Sequence, residues 1–250
     1  MLLQEFIDRC AAQLRSDNPN AVRARQYLEQ ERGLRPETIQ GAALGYCDWD
    51  QAGPDGEPNY KLFQGKFVVP IRAEFGEPVA IAARSPNKAE KGWYNSSADT
   101  GFTKGDHFFL LDKARRSIFE ANKAYLFEGY MDGIVVRQEG LPNAVALMGT
   151  ALGLRHIGLL RRYCEEVCLC FDTDPNYAGQ AAEAKSVLRL ASAGYKRLSR
   201  IHLPSGVDPD EYIVANGPQA LVALEKPVTD DDIEAYQDFL KWYKQQMGNR

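Results

Sequence analysis

The sequence is poor in cysteine and histidine, and neither residue type is spaced as a metal site. Its five cysteines include no CxxC pair, and Cys168 and Cys170 alternate within the apolar run VCLCF. Such alternation is typical of small apolar side chains on a buried strand. The three histidines, His107, His156 and His202, are not spaced as ligands on one helix. A zinc centre and a disulfide framework are therefore both disfavoured.

Long hydrophobic runs are also absent. No segment approaches the roughly 18 uninterrupted apolar residues of a membrane helix. The opening MLLQEFIDRC carries charges where a signal peptide needs an apolar stretch. We therefore expect a cytoplasmic protein with no membrane partner. The 250 residues are 44% hydrophobic and 26% charged, which suits one large globular domain or two smaller ones.

An excess of positive charge, common in nucleic-acid-binding domains, is lacking as well. The chain has 30 Lys and Arg against 34 Asp and Glu, a net charge of −4. The signs balance within 1–127, so the whole deficit lies in 128–250, where acids cluster in three short segments. Divalent cations bound at those acids would leave a nearly neutral protein. The net charge therefore neither supports nor excludes a nucleic-acid partner.

The first half of the chain predicts a small mixed α+β domain. Apolar residues at helical spacing predict an opening helix, and Asn18-Pro19 predicts the capped start of a second helix that ends at Gly33. The β-like runs 67–72 and 78–84, joined by the turn 74–77, predict a hairpin. The segments 48–59 and 85–106 are rich in polar residues, Gly and Pro, and are predicted as loops.

From residue 123 onward, short apolar runs alternate with helical stretches. This alternation predicts a mainly parallel sheet covered by helices, and hence an α/β fold. The predicted strands are 124–127, 143–148, 167–171 and 198–203, and the predicted helices lie near 131–139, 154–163 and 178–193. Thr229 is predicted to cap a final helix, with three Asp residues in its first turn, where the helix dipole favours negative charge. The predicted domains are 1–122, 123–226 and a helical segment 227–250.

Acidic residues follow three of the predicted strands. Because ligands bind at the carboxyl ends of strands in open α/β sheets, these side chains are expected to converge on one crevice. They are Glu128, Asp132, Asp172, Asp174, Asp208 and Asp210. So many carboxylates repel one another unless a cation neutralises them, and hard oxygen ligands suit Mg²⁺ or Mn²⁺. Two such ions would support nucleotidyl transfer without a His, Cys or Ser nucleophile.

The chain resembles bacterial DnaG-type primases. Several of its motifs occur in the same order as in that family, with approximately the same spacing. Four of them resemble the Toprim domain: EGYMD (128–132), ALMGTAL (146–152), FDTD (171–174) and VDPDEY (207–212). Five others resemble the basic subdomain that precedes it: RARQYLEQERGL (23–34), KFVVPIR (66–72), IAAR (81–84), WYNSS (93–97) and FTKG (102–105). The resemblance implies a Toprim-type sheet, preceded by a smaller α+β subdomain and followed by a short C-terminal helix.

The resemblance also implies roles for individual residues. Glu128 would be the catalytic acid, and Asp172 and Asp174 the principal metal ligands and part of the catalytic set. Asp132, Asp208 and Asp210 would complete a site for two or more Mg²⁺ or Mn²⁺ ions. The positions that would face template or nucleotide are Arg84, Asn95 and Lys104. Implied partners are single-stranded DNA, NTPs, the RNA primer, and either a replicative helicase or a separate zinc-binding module.

The sequence departs from the family pattern in three respects. Pro175-Asn176-Tyr177 stand between Asp174 and the following Ala-Gly pair, where the family usually has one residue. IAAR replaces a glycine-rich turn. Counterparts of the zinc-binding module and of a full helicase-binding domain are not found, as expected for an excised core or for a compact primase of a mobile element.

Two other functions remain open from the sequence. A Toprim nuclease would use the same carboxylates to activate water, although the upstream primase-like motifs would then have no role. A non-catalytic accessory protein that binds single-stranded DNA would not need intact acids at every cluster position. The favoured interpretation is a template-directed polymerase that makes short RNA primers.

Overall fold

The computed structural model describes residues 3–48, 60–87, 89–90, 92–96, 101–149, 151–173, 177–204 and 206–247. The chain divides into two compact units, Met1–Thr103 and Lys104–Arg250. This division lies upstream of the predicted boundary at residue 122. The reason is that a helix at Leu111–Ala121 packs on the strand that follows it, and Phe109 forms a β-bridge with Ala146. Most of the predicted loop 48–59 lies outside the described residues.

The first unit is an antiparallel four-stranded sheet with three short helices. The strands, in the order β1-β2-β3-β4, are Gly45–Cys47, Lys66–Arg72, Pro78–Arg84 and Tyr94–Asn95. The helices are α1 (Leu3–Leu14), α2 (Pro19–Gln26) and α3 (Pro36–Gly41), with a π-helical turn at Tyr27–Glu31 and a 3₁₀ turn at Tyr60–Phe63. Helix α1 packs on β1, and its apolar face joins the sheet in one core.

The predicted helix starts and the hairpin of this unit are confirmed. The Asn18 carboxamide oxygen accepts hydrogen bonds from the Asn20 N–H, 2.8 Å away, and from the Ala21 N–H, 3.3 Å away, so it caps α2. Strands β2 and β3 pair antiparallel through a turn that contains Gly76 at φ 103°. Only a residue without a side chain adopts that dihedral readily. The predicted loop 85–106 differs in containing β4 and a 3₁₀ turn at Lys104–Asp106.

The contact between α1 and β1 depends on Gly45. A Cβ atom at this position would lie 2.4 Å from the Cys10 Cβ atom and 2.6 Å from the Cys10 carbonyl carbon. Because backbone atoms cannot rotate away, Gly45→Ala must push the helix off the sheet. We expect the substitution to cost about 3 kcal/mol of folding free energy, at the upper end of overpacking effects, in denaturant unfolding of the full chain.

A matched control for this prediction is Gly41→Ala in the same unit. Gly41 ends α3 with a negative φ, and a Cβ atom there meets nothing within 4 Å. We expect it to be neutral or slightly stabilising. Equal unfolding free energies for the two variants would contradict close packing at Gly45.

The second unit is a five-stranded sheet covered by helices, as the alternating pattern predicts. The strands, in the order β6-β5-β7-β8-β9, are β5 (Lys123–Phe127), β6 (Ala144–Ala146), β7 (Glu166–Leu169), β8 (Arg197–Ile201) and β9 (Glu225–Pro227). The first four are mutually parallel, and β9 is antiparallel. The helices are α4 (Leu111–Ala121), α5 (Tyr130–Gln138), α6 (Leu154–Leu160), α7 (Ala178–Ser192), α8 (Pro209–Asn216), α9 (Pro218–Ala223) and α10 (Asp230–Met247).

The strand order creates a topological switch point between β5 and β7. The chain leaves β5 for β6 on one side and then returns to β7 on the other side of β5. In open α/β sheets, such a reversal opens a crevice at the carboxyl ends of the two strands. The strands themselves are buried and apolar, which holds their ends in fixed positions.

The C-terminal helix α10 packs on its own unit. Thr229 and Asp232 form the predicted cap, since the Thr229 N–H donates to the Asp232 carboxylate at 2.9 Å. Asp232 also forms an ion pair with Arg200 of β8 at 2.7 Å. Tyr236 of α10 is buried in the main core, and the helix lies against α7. Across the described ranges, no helix combines the length and apolarity that crossing a membrane requires.

Candidate active site

Two of the predicted acids meet at the switch point. Glu128 follows β5 directly, and Asp172 follows β7 after Cys170 and Phe171. The Asp172 backbone N–H donates a hydrogen bond to the Glu128 carboxylate, with an N-to-Oε1 distance of 3.2 Å. The neighbouring parallel strands therefore place these two residues in direct contact, as the positions at the strand ends predict.

Asp132 lies beside this pair in the first turn of α5. Its carboxylate accepts a hydrogen bond from the Gly129 N–H at 3.1 Å, and this contact satisfies a free donor at the start of the helix. Burial raises the pKa of Asp132 well above the ordinary carboxyl range, and the charges of Asp210, Asp172 and Asp208 raise it further. The same three acids that sequence placed in the cluster thus act electrostatically on one carboxyl group.

Asp208 and Asp210 reach the cluster from the start of α8. Asp208 is the residue that precedes the helix, in an extended conformation, and Pro209 occupies the first helical position. Asp210 is 8% exposed, and its carboxylate accepts the Glu211 N–H at 2.9 Å. Helix α8 packs on α5, which carries Asp132. The contact between α8 and α5 therefore brings Asp208 and Asp210 to the acids that follow β5 and β7.

The cluster has the chemistry of a site for hard divalent cations. Its donors are carboxylate oxygens, and their mutual repulsion at Asp132 is the effect that a bound cation would relieve. The Cys170 thiol is fully buried, and burial raises its pKa well above the ordinary value, as do the charges of Asp132 and Asp172. Among the described residues, no three His, Cys, Asp or Glu side chains stand at the spacing of a formed ion site. Asp174, the sixth predicted acid, lies outside the described residues.

Removing one charge should stabilise the metal-free protein. The pKa of Asp132 is higher in the folded protein than in the unfolded chain. The folded protein therefore loses stability as pH rises from the ordinary carboxyl range through that raised pKa, because the buried carboxyl group must then become charged. Asp132→Asn keeps an oxygen that accepts the Gly129 N–H and removes the repelled charge. We therefore expect a thermal midpoint several degrees higher in EDTA at pH 7.5, with a shallower pH dependence.

Asp238→Asn serves as the control for this prediction. Asp238 is an exposed residue of α10 that pairs with Lys241 on the surface, and surface pairs contribute little. We expect its midpoint to equal that of the wild type. A lower midpoint for Asp132→Asn than for the wild type in EDTA would show that the acids do not repel one another.

Helix α7 approaches the carboxylate pair very closely, a feature that the sequence did not predict. A Cβ atom on Gly179 would lie 2.0 Å from the Asp172 carbonyl oxygen and 3.1 Å from the Glu128 carboxylate. Gly179 is in the first turn of α7, so the start of this helix rests on the backbone of Asp172. The only sequence signal is the Ala-Gly pair that the family pattern places after the second Asp.

Lys104 belongs to the second unit, and its contacts lead to Glu128. Its ammonium group donates to the Met148 carbonyl at 3.1 Å, and the Gly149 N–H donates to the Glu128 carbonyl at 3.0 Å. Burial lowers the pKa of Lys104. Met148 and Gly149 both have positive φ values, 60° and 70°. A tight turn after β6 thus connects the cation to the carboxylate pair.

Arg84 and Asn95 lie together on the first unit. The Arg84 guanidinium is 5.9 Å from the centre of the Trp93 ring, and Asn95 pairs with Ala82 across β3 and β4. Trp93 also makes an edge contact with Phe67, with ring centres 5.6 Å apart. The Trp93 ring therefore has a packing role in this unit, in addition to its contact with a cation.

The comparisons with known proteins agree with this architecture. Residues 125–213 match the family model described as Toprim-like. The DNA primase of Synechococcus elongatus is 32% identical over an alignment of 223 residues, which covers 78% of this chain and 32% of that protein. The chain spans about a third of the length of that curated relative.

Solved structures show the same fold. The primase catalytic core of E. coli superposes with a TM-score of 0.77 at 27% identity, covering 93% of this chain and 80% of that one. A DnaG primase catalytic domain bound to ssDNA has a TM-score of 0.72 at 24% identity, covering 99% and 96% of the respective chains.

The parallel sheet, its switch point and the acids at the strand ends define a Toprim-like α/β unit with a preceding antiparallel α+β unit. Both units together are what the primase cores contain, since the match to the E. coli core covers nearly the whole chain. In sequence and fold the chain is therefore similar to the catalytic cores of DnaG-type primases, and its second unit is Toprim-like.

Proposed function

We propose that this chain catalyses template-directed synthesis of short RNA primers on single-stranded DNA. One observation carries the proposal: Glu128 and Asp172 are in direct contact at the switch point, and the charges of Asp172, Asp208 and Asp210 all raise the pKa of the neighbouring Asp132. No covalent nucleophile is needed for phosphoryl transfer, because catalysis comes from positioning and from electrostatic stabilisation.

The residues have distinct roles in this proposal. Asp172, together with Asp174, Asp132, Asp208 and Asp210, would hold Mg²⁺ or Mn²⁺. The bound ions would supply a Lewis acid that lowers the pKa of the attacking 3′-hydroxyl and neutralises the leaving pyrophosphate. Glu128 accepts the proton of that hydroxyl or completes the ligand set. The Asp172 N–H fixes the orientation of the Glu128 carboxylate through the 3.2 Å hydrogen bond.

The template and nucleotide would be bound by cations and aromatic rings. Arg84, Asn95 and Lys104 are assigned to this role, and Trp93 beside Arg84 adds a ring surface of the kind that stacks on bases. Contacts to phosphate give salt-sensitive binding with little sequence preference. The ssDNA-bound domain with the same fold supports a single-stranded template. A replicative helicase or a separate zinc-binding module is the proposed further partner, at a cytoplasmic replication fork.

One assay tests the proposal against the two alternatives. The protein is incubated with single-stranded DNA, labelled NTPs and Mn²⁺, and the products are resolved on a denaturing gel. Short NTP-dependent oligomers are expected for a primase. Shortened DNA would identify a nuclease, and intact DNA without new oligomers would indicate a binding role. Either of these last two results would overturn the primase proposal.

A further inference from the structure

Helix α10 contacts the start of α7 through an aromatic cluster formed by Tyr177, Phe239, Trp242 and Tyr243. The Tyr177 ring centre is 5.4 Å from that of Trp242, in an edge-to-face arrangement, and 6.3 Å from that of Phe239. Phe239 also packs against Trp242 and Tyr243, at 5.8 and 6.0 Å. Tyr177 is the last of the three residues that depart from the family pattern.

Tyr177 also controls the backbone at the beginning of α7. It has φ 62° and ψ 17°, a left-handed conformation that residues other than glycine rarely adopt. Its carbonyl accepts the first hydrogen bond of the helix, from the Ala181 N–H at 3.0 Å. A residue held in this conformation needs surrounding contacts that fix it. The rings of α10 provide such contacts.

A second contact between α10 and α7 lies deeper in the unit. The Tyr236 hydroxyl donates to the buried carboxylate of Glu183 on α7. His202 is 3.0 Å from the same carboxylate, and Arg200 donates to the Tyr236 oxygen at 2.6 Å. The two helices therefore run antiparallel and contact each other at two places. One is the hydrogen bond between Tyr236 and Glu183. The other is the aromatic cluster at the start of α7, where Gly179 lies against Asp172.

We propose that Tyr177 is a positioning residue, held by the rings of α10, that keeps the start of α7 against Asp172 and Glu128. Gly179 follows Tyr177 by half a turn and touches the Asp172 carbonyl oxygen, so movement of Tyr177 moves the surface on which that backbone rests. The C-terminal helix thereby influences the geometry of the carboxylates through the start of α7. The proposal rests on the proposed function only in assigning metal binding to those carboxylates.

Amide hydrogen exchange of the full chain tests the positioning role without metal. Tyr177→Ala removes the ring, and we expect protection of the Ala181 amide to fall about tenfold, given the strength of aromatic pairs. Tyr177→Phe keeps the ring and should retain protection. Tyr177→Gly permits the left-handed backbone but lacks the ring, so it should behave like the alanine variant. Unchanged protection in Tyr177→Ala, or wild-type protection in Tyr177→Gly, would overturn the proposal.

Calorimetric titration with Mn²⁺ tests the consequence for the carboxylates. We expect the dissociation constant to rise roughly three- to tenfold in Tyr177→Ala and in Trp242→Ala, as loss of one or two ring contacts predicts, and to stay unchanged in Tyr177→Phe. Phe119→Ala is the control, since Phe119 is a 67% exposed aromatic residue on α4. Faster exchange in Tyr177→Ala with unchanged Mn²⁺ affinity would overturn the link to the carboxylates. A wild-type protein that binds no Mn²⁺ would refute the proposed function, while the exchange result would still decide the packing role.

Discussion

Asp172→Asn should reduce primer synthesis by at least about 100-fold, which is the scale on which loss of one electrostatic contact in an active site acts. The substitution removes the charge of the residue at the end of β7 and keeps its size. It also leaves intact the backbone N–H that donates to Glu128 at 3.2 Å, because that contact does not involve the Asp172 side chain. Initial rates of NTP incorporation on single-stranded DNA measure the effect.

Two further measurements make this result specific. Circular dichroism should show an unchanged fold, because Asn fits the space of Asp. Glu120→Gln makes the same change in charge on the exposed face of α4, where Glu120 pairs with Arg116, and should leave the rate unchanged. A folded Asp172→Asn protein that synthesises primers at the wild-type rate would refute the assignment of Asp172.

Gly179→Ala is expected to have the second large effect, on both stability and activity. The added methyl group would lie 2.0 Å from the Asp172 carbonyl oxygen and 2.9 Å from its carbon, so the start of α7 must move away from the carboxylate pair. Overpacking of this kind costs about 1–3 kcal/mol, and a displacement near 1 Å at the reacting groups can cost about 100-fold in rate. Thermal unfolding and the primer assay measure the two effects.

Gly158→Ala makes the same chemical change where there is space. Gly158 lies within α6, and a Cβ atom there meets nothing within 4 Å. Replacing a helical glycine by alanine should stabilise the protein by about 0.5–1 kcal/mol and leave synthesis unchanged. Wild-type stability and activity in Gly179→Ala would mean that α7 does not rest on Asp172.

The parallel sheet and the meeting of the acids were predictable from sequence for the same reason. Buried parallel strands are short apolar runs, and their carboxyl ends lie at one edge of the sheet. Placing Glu128 after one run and Asp172 after another therefore predicted their contact. The position of Asp210 was less determined, because it depends on packing between α8 and α5, to which residues far apart in sequence contribute.

The sequence did not predict helix α4 or strand β9, because neither carries the local residue pattern that usually marks such an element. Helix α4 begins after Leu110, which is in a left-handed conformation and provides no side-chain cap, so the usual start signal is absent. Strand β9 has the sequence EKP, without apolar alternation, and is defined only by its pairing with β8. The closeness of Gly179 to Asp172 is likewise a tertiary contact, and a glycine alone does not reveal what approaches it.

The contacts of Lys104 have a consequence for how charge is arranged around a bound substrate. Lys104, Met148, Gly149 and Glu128 form one continuous series of contacts within a single compact unit. The separation between this ammonium group and the proposed catalytic carboxylates is therefore set within one compact unit. In the proposed function, a nucleoside triphosphate bound there would be attracted by Lys104 and repelled by the carboxylates. The positions of these charges would not depend on a bound template.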